Sequence, residues 1–184
     1  MRLLTLAAIA TLTALPAHAL DLPARKAGLW EMKMTFEGRN QPEQSSQHCI
    51  DAATDKQMNS VGGSMTRESC SKQDIRRVGD SIVVDSVCKI GDATTTSHAV
   101  VSGDFNSAYT VKVTSKREGG RAMPGMPADG ASNMTIEAKW LGACAAGQKP
   151  GDIIMAGGRK INILDMQRMG VPGMPGAPRP PAPK

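Results

Sequence analysis

Hydrophobic and polar residues alternate with a period of two in five segments of the chain. In a half-buried β-strand, successive side chains point to opposite faces of the sheet, so this alternation predicts strands with one wet face and one face on a core. Between residues 28 and 37, for example, the charged residues Glu31 and Lys33 alternate with apolar side chains. The five predicted strands are residues 28–37, 81–90, 94–102, 108–116 and 133–142.

Short connectors with turn-forming residues separate the central strands. The links are residues 78–81, 90–93 and 102–106, and each contains the dipeptide Gly-Asp. Links of this kind join antiparallel neighbours and predict a meander. With residues 70–77 counted as a further strand, the sequence predicts a mainly β fold built on an antiparallel meander of six or more strands. Such a sheet either stays open or curls into a partial or closed small barrel.

Less regular stretches lie before, within and after this meander. Asp51 is of a residue type that caps helices, and we expect one short helix near residues 51–59. The Pro/Gly-rich residues 118–132 predict a flexible loop. Apolar runs at 153–155 and 160–164 flank a Gly-Gly pair and favour a small hairpin, although runs of this length also fit a helix.

The beginning and end of the chain differ in composition from the middle. Residues 1–19 combine Arg2, a short apolar run and the small-residue site Ala17-His18-Ala19, which is typical of a secretory signal peptide. Residues 170–184 contain six prolines and predict a disordered tail. Between them, residues 20–169 fit a single β-rich domain without an integral membrane segment. We therefore expect a periplasmic or secreted bacterial protein.

Four cysteines remain after the predicted cleavage site, and an even number in an exported chain indicates two disulfide bonds. Zinc is the competing interpretation, but no pair has the Cys-x2-Cys spacing. In a hairpin that turns at Gly79 and Asp80, opposed residue numbers sum to about 158 or 159, and those of Cys70 and Cys88 sum to 158. Cys49 is then left to pair with Cys144.

Charge and motifs exclude several functional classes. Loss of Arg2 lowers the formal net charge from +5 to +4, and the remaining basic residues are scattered, so we expect no nucleic-acid partner. The signatures of nucleophile elbows, zinc proteases, P-loops and dinucleotide sites are absent from the sequence.

Individual titratable residues add no catalytic candidate. His98 shares a strand face with Val100 and is expected to be structural, and His48 to be structural or exposed. Capping, turns and solvation account for two possible carboxylate pairs, so the sequence predicts no catalytic residue, no bound metal and no cofactor. These pairs are Asp85 with Asp92 and Asp51 with Asp55.

Methionine is unusually frequent, with 12 in the chain. Thioether ligands suit Cu(I), so a copper-handling protein is one alternative. Several of these residues, however, lie in Pro/Gly-rich segments, and others alternate onto the apolar face of predicted strands, where methionine fills gaps. The first group is Met123, Met126, Met169 and Met174, and the second is Met32, Met34 and Met134.

Four short motifs, taken in order, resemble the bacterial domain-of-unknown-function 3617 family. They are Ala27-Gly28-Leu29-Trp30-Glu31, then Gln47-His48-Cys49-Ile50, then Cys70 and Cys88 around a Val-Gly-Asp turn, and finally Trp140-Leu141-Gly142-Ala143-Cys144. The resemblance extends from about Leu22 to Asp165. It implies an exported protein with paired cysteines and no assigned activity.

The remaining functional hypothesis comes from the expected architecture. A curled antiparallel sheet can hold a small apolar ligand, so we predict a non-catalytic envelope protein of this type. The alternative is a structural or protein-interaction module that uses its sheet edges and tail, with another envelope protein as partner. The residues expected to face the ligand are Trp30, Met32, Met34, Phe36, Tyr109 and Trp140.

Overall fold

A computed structural model describes residues 22–38, 41–58, 69–121 and 130–168 of the chain. Within them lie nine β-strands in one antiparallel sheet, which confirms the predicted fold class. The strands are β1 (Gly28–Glu37), β2 (Gln44–Ile50), β3 (Cys70–Val78), β4 (Ser81–Ile90), β5 (Ala93–Asp104), β6 (Ala108–Gly119), β7 (Ala131–Gly142), β8 (Asp152–Met155) and β9 (Lys160–Asn162). Residues 52–58 are helical and are called α1, and Ile163–Arg168 forms the helix α2.

The strand order across the sheet is β3-β4-β5-β6-β7-β1-β2-β8-β9. Strands β3 to β7 follow one another as the predicted meander, and β1 then pairs with β7 rather than standing at an edge. The sheet is open, because β3 ends the order on one side and β9 ends it on the other. Of the predicted outcomes, the open sheet is therefore the one that the chain adopts.

Glycines in left-handed conformations make the tight turns of the meander. Gly79 has a φ angle of 58° and Gly91 one of 60°. Residues with a Cβ atom adopt such positive φ angles only at a cost in free energy. Each lies in a two-residue turn between strands, in the hairpins β3–β4 and β4–β5. The Gly-Asp pairs in the sequence therefore mark hairpin turns at these two positions.

Two elements were missing from the sequence prediction. Strand β2 begins with four polar residues and shows no hydrophobic alternation there, so periodicity could not identify it. It forms because β1 offers a complete partner, with seven residue pairs from Gly28↔Ile50 to Met34↔Gln44. Helix α2 has only six residues, and the side-chain oxygen of Asn162 accepts hydrogen bonds from the first turn at Leu164 N (3.0 Å) and Asp165 N (3.3 Å).

The expected helix start at Asp51 is present. The Asp51 carboxylate accepts a hydrogen bond from Thr54 N at 2.8 Å, and Asp51 N donates to Thr54 Oγ1 at 2.9 Å. The reciprocal pair satisfies two backbone donors at the start of α1. These hydrogen bonds also lower the pKa of Asp51, chiefly through the Thr54 backbone N–H. At the other end of the chain, β8 and β9 form the favoured small hairpin.

Two disulfides join the strands, Cys49–Cys144 and Cys70–Cys88, which is the pairing that the register argument gave. Cys70 and Cys88 are directly opposed in the β3–β4 ladder. Cys49 lies near the end of β2, whereas Cys144 follows β7 by two residues.

Three predicted segments fall wholly or partly outside the described residues. They are the signal peptide at 1–19, the centre of the flexible loop at 118–132, and the tail at 170–184. The described ends of that loop are already strand, because β6 continues to Gly119 and β7 begins at Ala131. No helix in the described part of the chain is long and apolar enough to cross a membrane.

Candidate functional site

The register of the sheet places six apolar residues in one row across six strands. Each neighbouring pair is directly opposed in a ladder, and opposed residues point to the same face. All six are partly exposed. We call this set row one, and its members in spatial order are Ile75, Val84, Ala99, Val113, Met134 and Phe36.

A second apolar row lies beside the first on the same face, two residues further along each strand. Two of its members are buried, Ile82 at 3% and Val101 at 5% exposure, and the other three are partly exposed. Row two consists of Ile82, Val101, Val111, Ile136 and Met34. Together the two rows form a continuous surface, which we call the apolar face.

Serines border the apolar face beyond row one. The ladders place Ser86 opposite Ser97, Ser97 opposite Ser115, and Ser115 opposite Ser132. Hydroxyl groups donate and accept hydrogen bonds, so this border is suited to polar groups, whereas the rows themselves offer only apolar contact. A ligand or partner with an apolar body and a polar end matches this arrangement.

On its other side, the apolar face meets a filled aromatic cluster. Trp30 is completely buried against Ile50 and Ala138. Further side chains pack on this group, and the Trp30 and Tyr109 rings lie 5.6 Å apart. The packed residues are Met32, Met58, Tyr109 and Trp140.

Both indoles of the cluster are fixed by backbone carbonyls of the segment before β1. Trp30 Nε1 donates to Lys26 O at 2.8 Å, and Trp140 Nε1 donates to Ala27 O at 3.1 Å. The ammonium of Lys26 also lies 3.5 Å from the centre of the Trp140 ring. Gly28 permits this approach, because a Cβ there would lie 2.6 Å from Trp140 Nε1.

The six residues expected to face a ligand therefore divide into two groups. Met34 and Phe36 belong to the apolar face, with Met34 in row two and Phe36 in row one. The other four belong to the aromatic cluster, where they contact protein. These four are Trp30, Met32, Tyr109 and Trp140.

A buried ion pair lies against the aromatic cluster, and the sequence did not predict it. Arg25 Nε donates to Asp55 Oδ1 at 2.7 Å, and Arg25 N donates to Asp55 Oδ2 at 2.8 Å. The side chains are 8% and 0% exposed, respectively. The expectation that capping or solvation explains Asp55 was wrong, because this carboxylate is enclosed and paired. Only its position one turn after Asp51 was visible in the sequence.

His48 occupies the same face of the sheet and is directly opposite Trp30. Its Nε2 lies 3.1 Å from Ser46 Oγ, whereas Nδ1 is buried and has no hydrogen-bond partner within the described structure. Burial, followed by the positive charge of Arg25, lowers the pKa of His48 from 6.5 to about 4. At neutral pH this imidazole is uncharged and belongs to the packed interior.

The opposite face of the sheet is polar. His98 Nδ1 lies 2.6 Å from Asp85 Oδ1, and Arg76 Nη1 donates to both Asp85 Oδ2 and Asp74 Oδ2. The hydrogen bond with His98 and then that with Arg76 lower the pKa of Asp85. Because His98 is paired in this way, its geometry agrees with the expected structural role.

A concavity of about 420 Å³ opens on this polar face. Its walls carry four charged residues with small residues between them, so it does not suit an apolar ligand. The charged residues are Glu31, Lys33, Glu137 and Lys139.

Among the described residues, no group of three or more His, Cys, Asp and Glu side chains is placed to hold an ion. The methionines of the copper hypothesis in Pro/Gly-rich segments lie outside the described residues. Met32, Met34 and Met134 are strand residues in the aromatic cluster and the apolar face.

One family model matches the chain, over residues 25–144, and its description is "Protein of unknown function (DUF3617)". The match lies within the region that the four motifs indicated. No curated protein and no solved structure matches the chain.

Proposed function

Because the chain belongs to the DUF3617 family, whose function is unknown, its role must be inferred from its own surface, and we propose that it is a non-catalytic envelope protein that binds an extended apolar ligand on the apolar face. A single fatty acyl chain is the ligand class that fits this surface. The proposal rests on one observation, the unbroken row of six partly exposed apolar residues across six strands.

The dimensions of row one support a chain-like ligand. Neighbouring strands are about 4.8 Å apart, so six strands place the ends of the row about 24 Å from each other. A ligand that crosses the strands therefore contacts apolar side chains along its whole length. Met134 and Phe36 at one end add an adaptable thioether and an aromatic surface.

The serine border runs alongside row one and offers hydrogen-bond donors for the polar end of the ligand. Ser86 and Ser97 lie on the same face as row one and can hydrogen-bond a carboxylate or ester group, whereas Ser115 Oγ already donates to Ser132 O at 3.4 Å. An apolar body on the rows with its polar end at the serines leaves no buried polar group without a partner. A chain without a polar end is expected to bind less tightly.

Location in the bacterial envelope is part of the same proposal. Two disulfides are typical of proteins that fold in an oxidising compartment, and residues 1–19 have the pattern of a secretory signal. Fractionation of the bacterium under non-reducing conditions tests this part directly. Mature protein in the cytoplasm, with reduced cysteines, would contradict it.

Displacement of a fluorescent polyene fatty acid by palmitate tests the binding proposal. Val113→Asp places a charge in the middle of row one, and we expect it to weaken binding at least tenfold. Thr114→Asp is the matched control, because this neighbouring residue of β6 is exposed on the polar face opposite His98. It should bind like the wild type.

Two results would overturn the proposal. One is a wild-type protein that does not bind the fatty acid, and the other is an equal loss of binding in both variants. Circular dichroism must first show that both variants are folded. Replacing palmitate with a hydrocarbon of equal length then tests the serine border, since we expect weaker displacement by the hydrocarbon.

A protein partner is the second candidate, and the open sheet favours it. Within the described residues, β3 has a strand on one side only. An edge strand presents backbone donors and acceptors that another strand can use.

A further inference from the structure

We propose that two copies of the protein pair through their β3 strands, in antiparallel orientation around Ile75, to form one continuous sheet. This inference goes beyond the acyl-binding proposal and does not depend on it, because it concerns the edge of the sheet rather than its face. The observation that carries it is the charge pattern of β3, because this register places Asp74 opposite Arg76 of the second copy and puts no like charges opposite each other.

The β3 edge is nine residues long and is joined to β4 at both ends. Its nine residues run from Cys70, which is bonded to Cys88 of β4, to the two-residue turn at Gly79 and Asp80. From Lys72 to Val78 the ladder with β4 is regular, and its one irregularity lies between Cys70 and Lys72. A strand that is already paired along one side loses little conformational freedom when a second strand pairs with its other side.

The hairpin turn determines which backbone groups point outward. Residues that flank a two-residue turn form a hydrogen-bonded pair, here Val78 with Ser81. Alternate residues of β3 therefore direct their N–H and C=O groups towards β4, and those between them direct theirs away from the sheet. The outward groups belong to Gln73, Ile75 and Arg77, with Ile75 at the centre.

Symmetry restricts how two such edges can pair. In an antiparallel pair related by a two-fold axis, the axis is perpendicular to the sheet and passes beside one central residue of each copy. If the axis passes beside Asp74, the two Asp74 carboxylates of the dimer lie opposite each other. If it passes beside Arg76, the two Arg76 guanidinium groups do. Like charges directly opposite each other destabilise a ladder. Centring on Gln73 requires the irregular region near Cys70.

Centring on Ile75 avoids these conflicts. Each Asp74 then lies opposite Arg76 of the second copy, and the two Ile75 side chains meet. Arg76 uses Nη1 for its contacts with Asp74 and Asp85, and within the described residues no contact of Nε or Nη2 is seen. A guanidinium with unused donors can bind a second carboxylate while keeping Asp85.

The apolar surface favours the same register. Ile75 is the last member of row one, and it lies at the edge of the sheet. Pairing Ile75 with Ile75 of the second copy joins the two rows into one row of twelve residues.

The same register also covers an exposed apolar side chain near the turn. Val78, which is 55% exposed, comes to lie opposite Lys72 of the second copy, whose aliphatic stem can cover it.

Sedimentation velocity of the mature protein over a range of concentrations gives the first test. We expect a monomer–dimer equilibrium, in which Asp74→Arg and Arg76→Asp each weaken dimerisation at least tenfold by placing like charges opposite each other. An equimolar mixture of the two variants should form a heterodimer within about threefold of wild-type affinity, because every opposed pair is then complementary. Only this register predicts that rescue.

A backbone variant separates the edge contact from the charges. Ile75→Pro removes an N–H that points away from the sheet, so the fold should remain while the dimer is lost. Asp74→Pro is the matched control, because it removes an N–H that faces β4 and should lower the melting temperature strongly. A wild-type protein that is monomeric at all concentrations, or a mixture that fails to associate, would overturn the proposal. Palmitate binding is measured on the same samples, so that loss of the dimer is distinguished from loss of the ligand site.

Discussion

Two regions of the sheet use the same kinds of interaction in different surroundings. The first region, around β1 and β2, contains the enclosed Arg25–Asp55 pair and the Cys49–Cys144 bridge. The second region, the edge hairpin of β3 with β4, contains the Arg76–Asp85 pair and the Cys70–Cys88 bridge. The comparison teaches that an ion pair or a disulfide has no fixed energetic value. Burial decides the effect of removing one ion-pair partner, and loop length decides the effect of the disulfide.

The largest single loss of stability should come from removing a disulfide. The Cys49–Cys144 bridge spans 95 residues and the Cys70–Cys88 bridge spans 18. In the chain-entropy model, the double variant Cys49→Ser/Cys144→Ser loses about 4–5 kcal/mol of unfolding free energy, and Cys70→Ser/Cys88→Ser loses about 3 kcal/mol. Urea unfolding without reductant measures both values. An equal loss in the two variants, or the reverse order, would contradict the loop-length argument.

Ion pairs provide the second contrast. Asp55→Ala leaves the Arg25 guanidinium enclosed without its partner, and we expect a loss of about 3–5 kcal/mol. Asp85→Ala removes a partner of Arg76 in the solvent-exposed second region, where water and salt screen the charge, so little change is expected. The same urea experiment compares the two. Arg25→Met combined with Asp55→Leu should recover much of the loss, because no unpaired charge remains.

The third and smallest effect depends on pH and belongs to the first region, around β1 and β2. The folded pKa of His48 is about 4, below its ordinary value of 6.5, so between these two values the unfolded chain binds a proton that the folded chain does not. Stability is therefore complete above pH 6.5 and falls by about 3 kcal/mol as the pH decreases to 4. His48→Leu should flatten this part of the stability curve.

Ser46→Ala is the control for that measurement. It removes the hydroxyl near His48 Nε2 but leaves the imidazole in place, so the decrease between pH 6.5 and 4 should remain. Chemical unfolding in a series of buffers gives the comparison. The assignment to His48 fails if His48→Leu retains the full wild-type decrease.

The sequence predicted strands wherever one face is apolar and the other polar. Strands β1 and β4 have the predicted bounds. Strand β5 extends beyond its predicted bounds at both ends, β6 only at its C-terminal end and β7 only at its N-terminal end, by one to three residues in each case. Strand β2 was not predicted, because its formation depends on β1 rather than on its own pattern. Local alternation was therefore enough to predict most strands of the meander, whereas the strands that pair with β1 could be identified only from the complete fold.

The candidate site was only partly visible for a related reason. Alternation identified Met34 and Phe36 as residues of the exposed apolar face. It made the same prediction for Trp30, which is completely enclosed. The difference arises from α1 and the segment before β1, whose Met58 and Lys26 contact this cluster. A pattern within one strand carries no information about what packs above it. The Arg25–Asp55 pair was hidden for the same reason, since 30 residues separate its members.

The position of β1 between β7 and β2 means that β1 must wait for one of its two partner strands during synthesis. Trp30 is synthesised long before its ladder partner Trp140, and at 5–20 residues per second the delay is about 5–20 s. During that interval one edge of β1 has no strand to pair with, and Cys49 lacks Cys144. The β3–β4 hairpin, in contrast, has both of its strands as soon as β4 has been synthesised. The chain therefore exposes the apolar side chains of β1 at the time when it has least structure to cover them, and a chaperone that acts on this protein is expected to recognise β1.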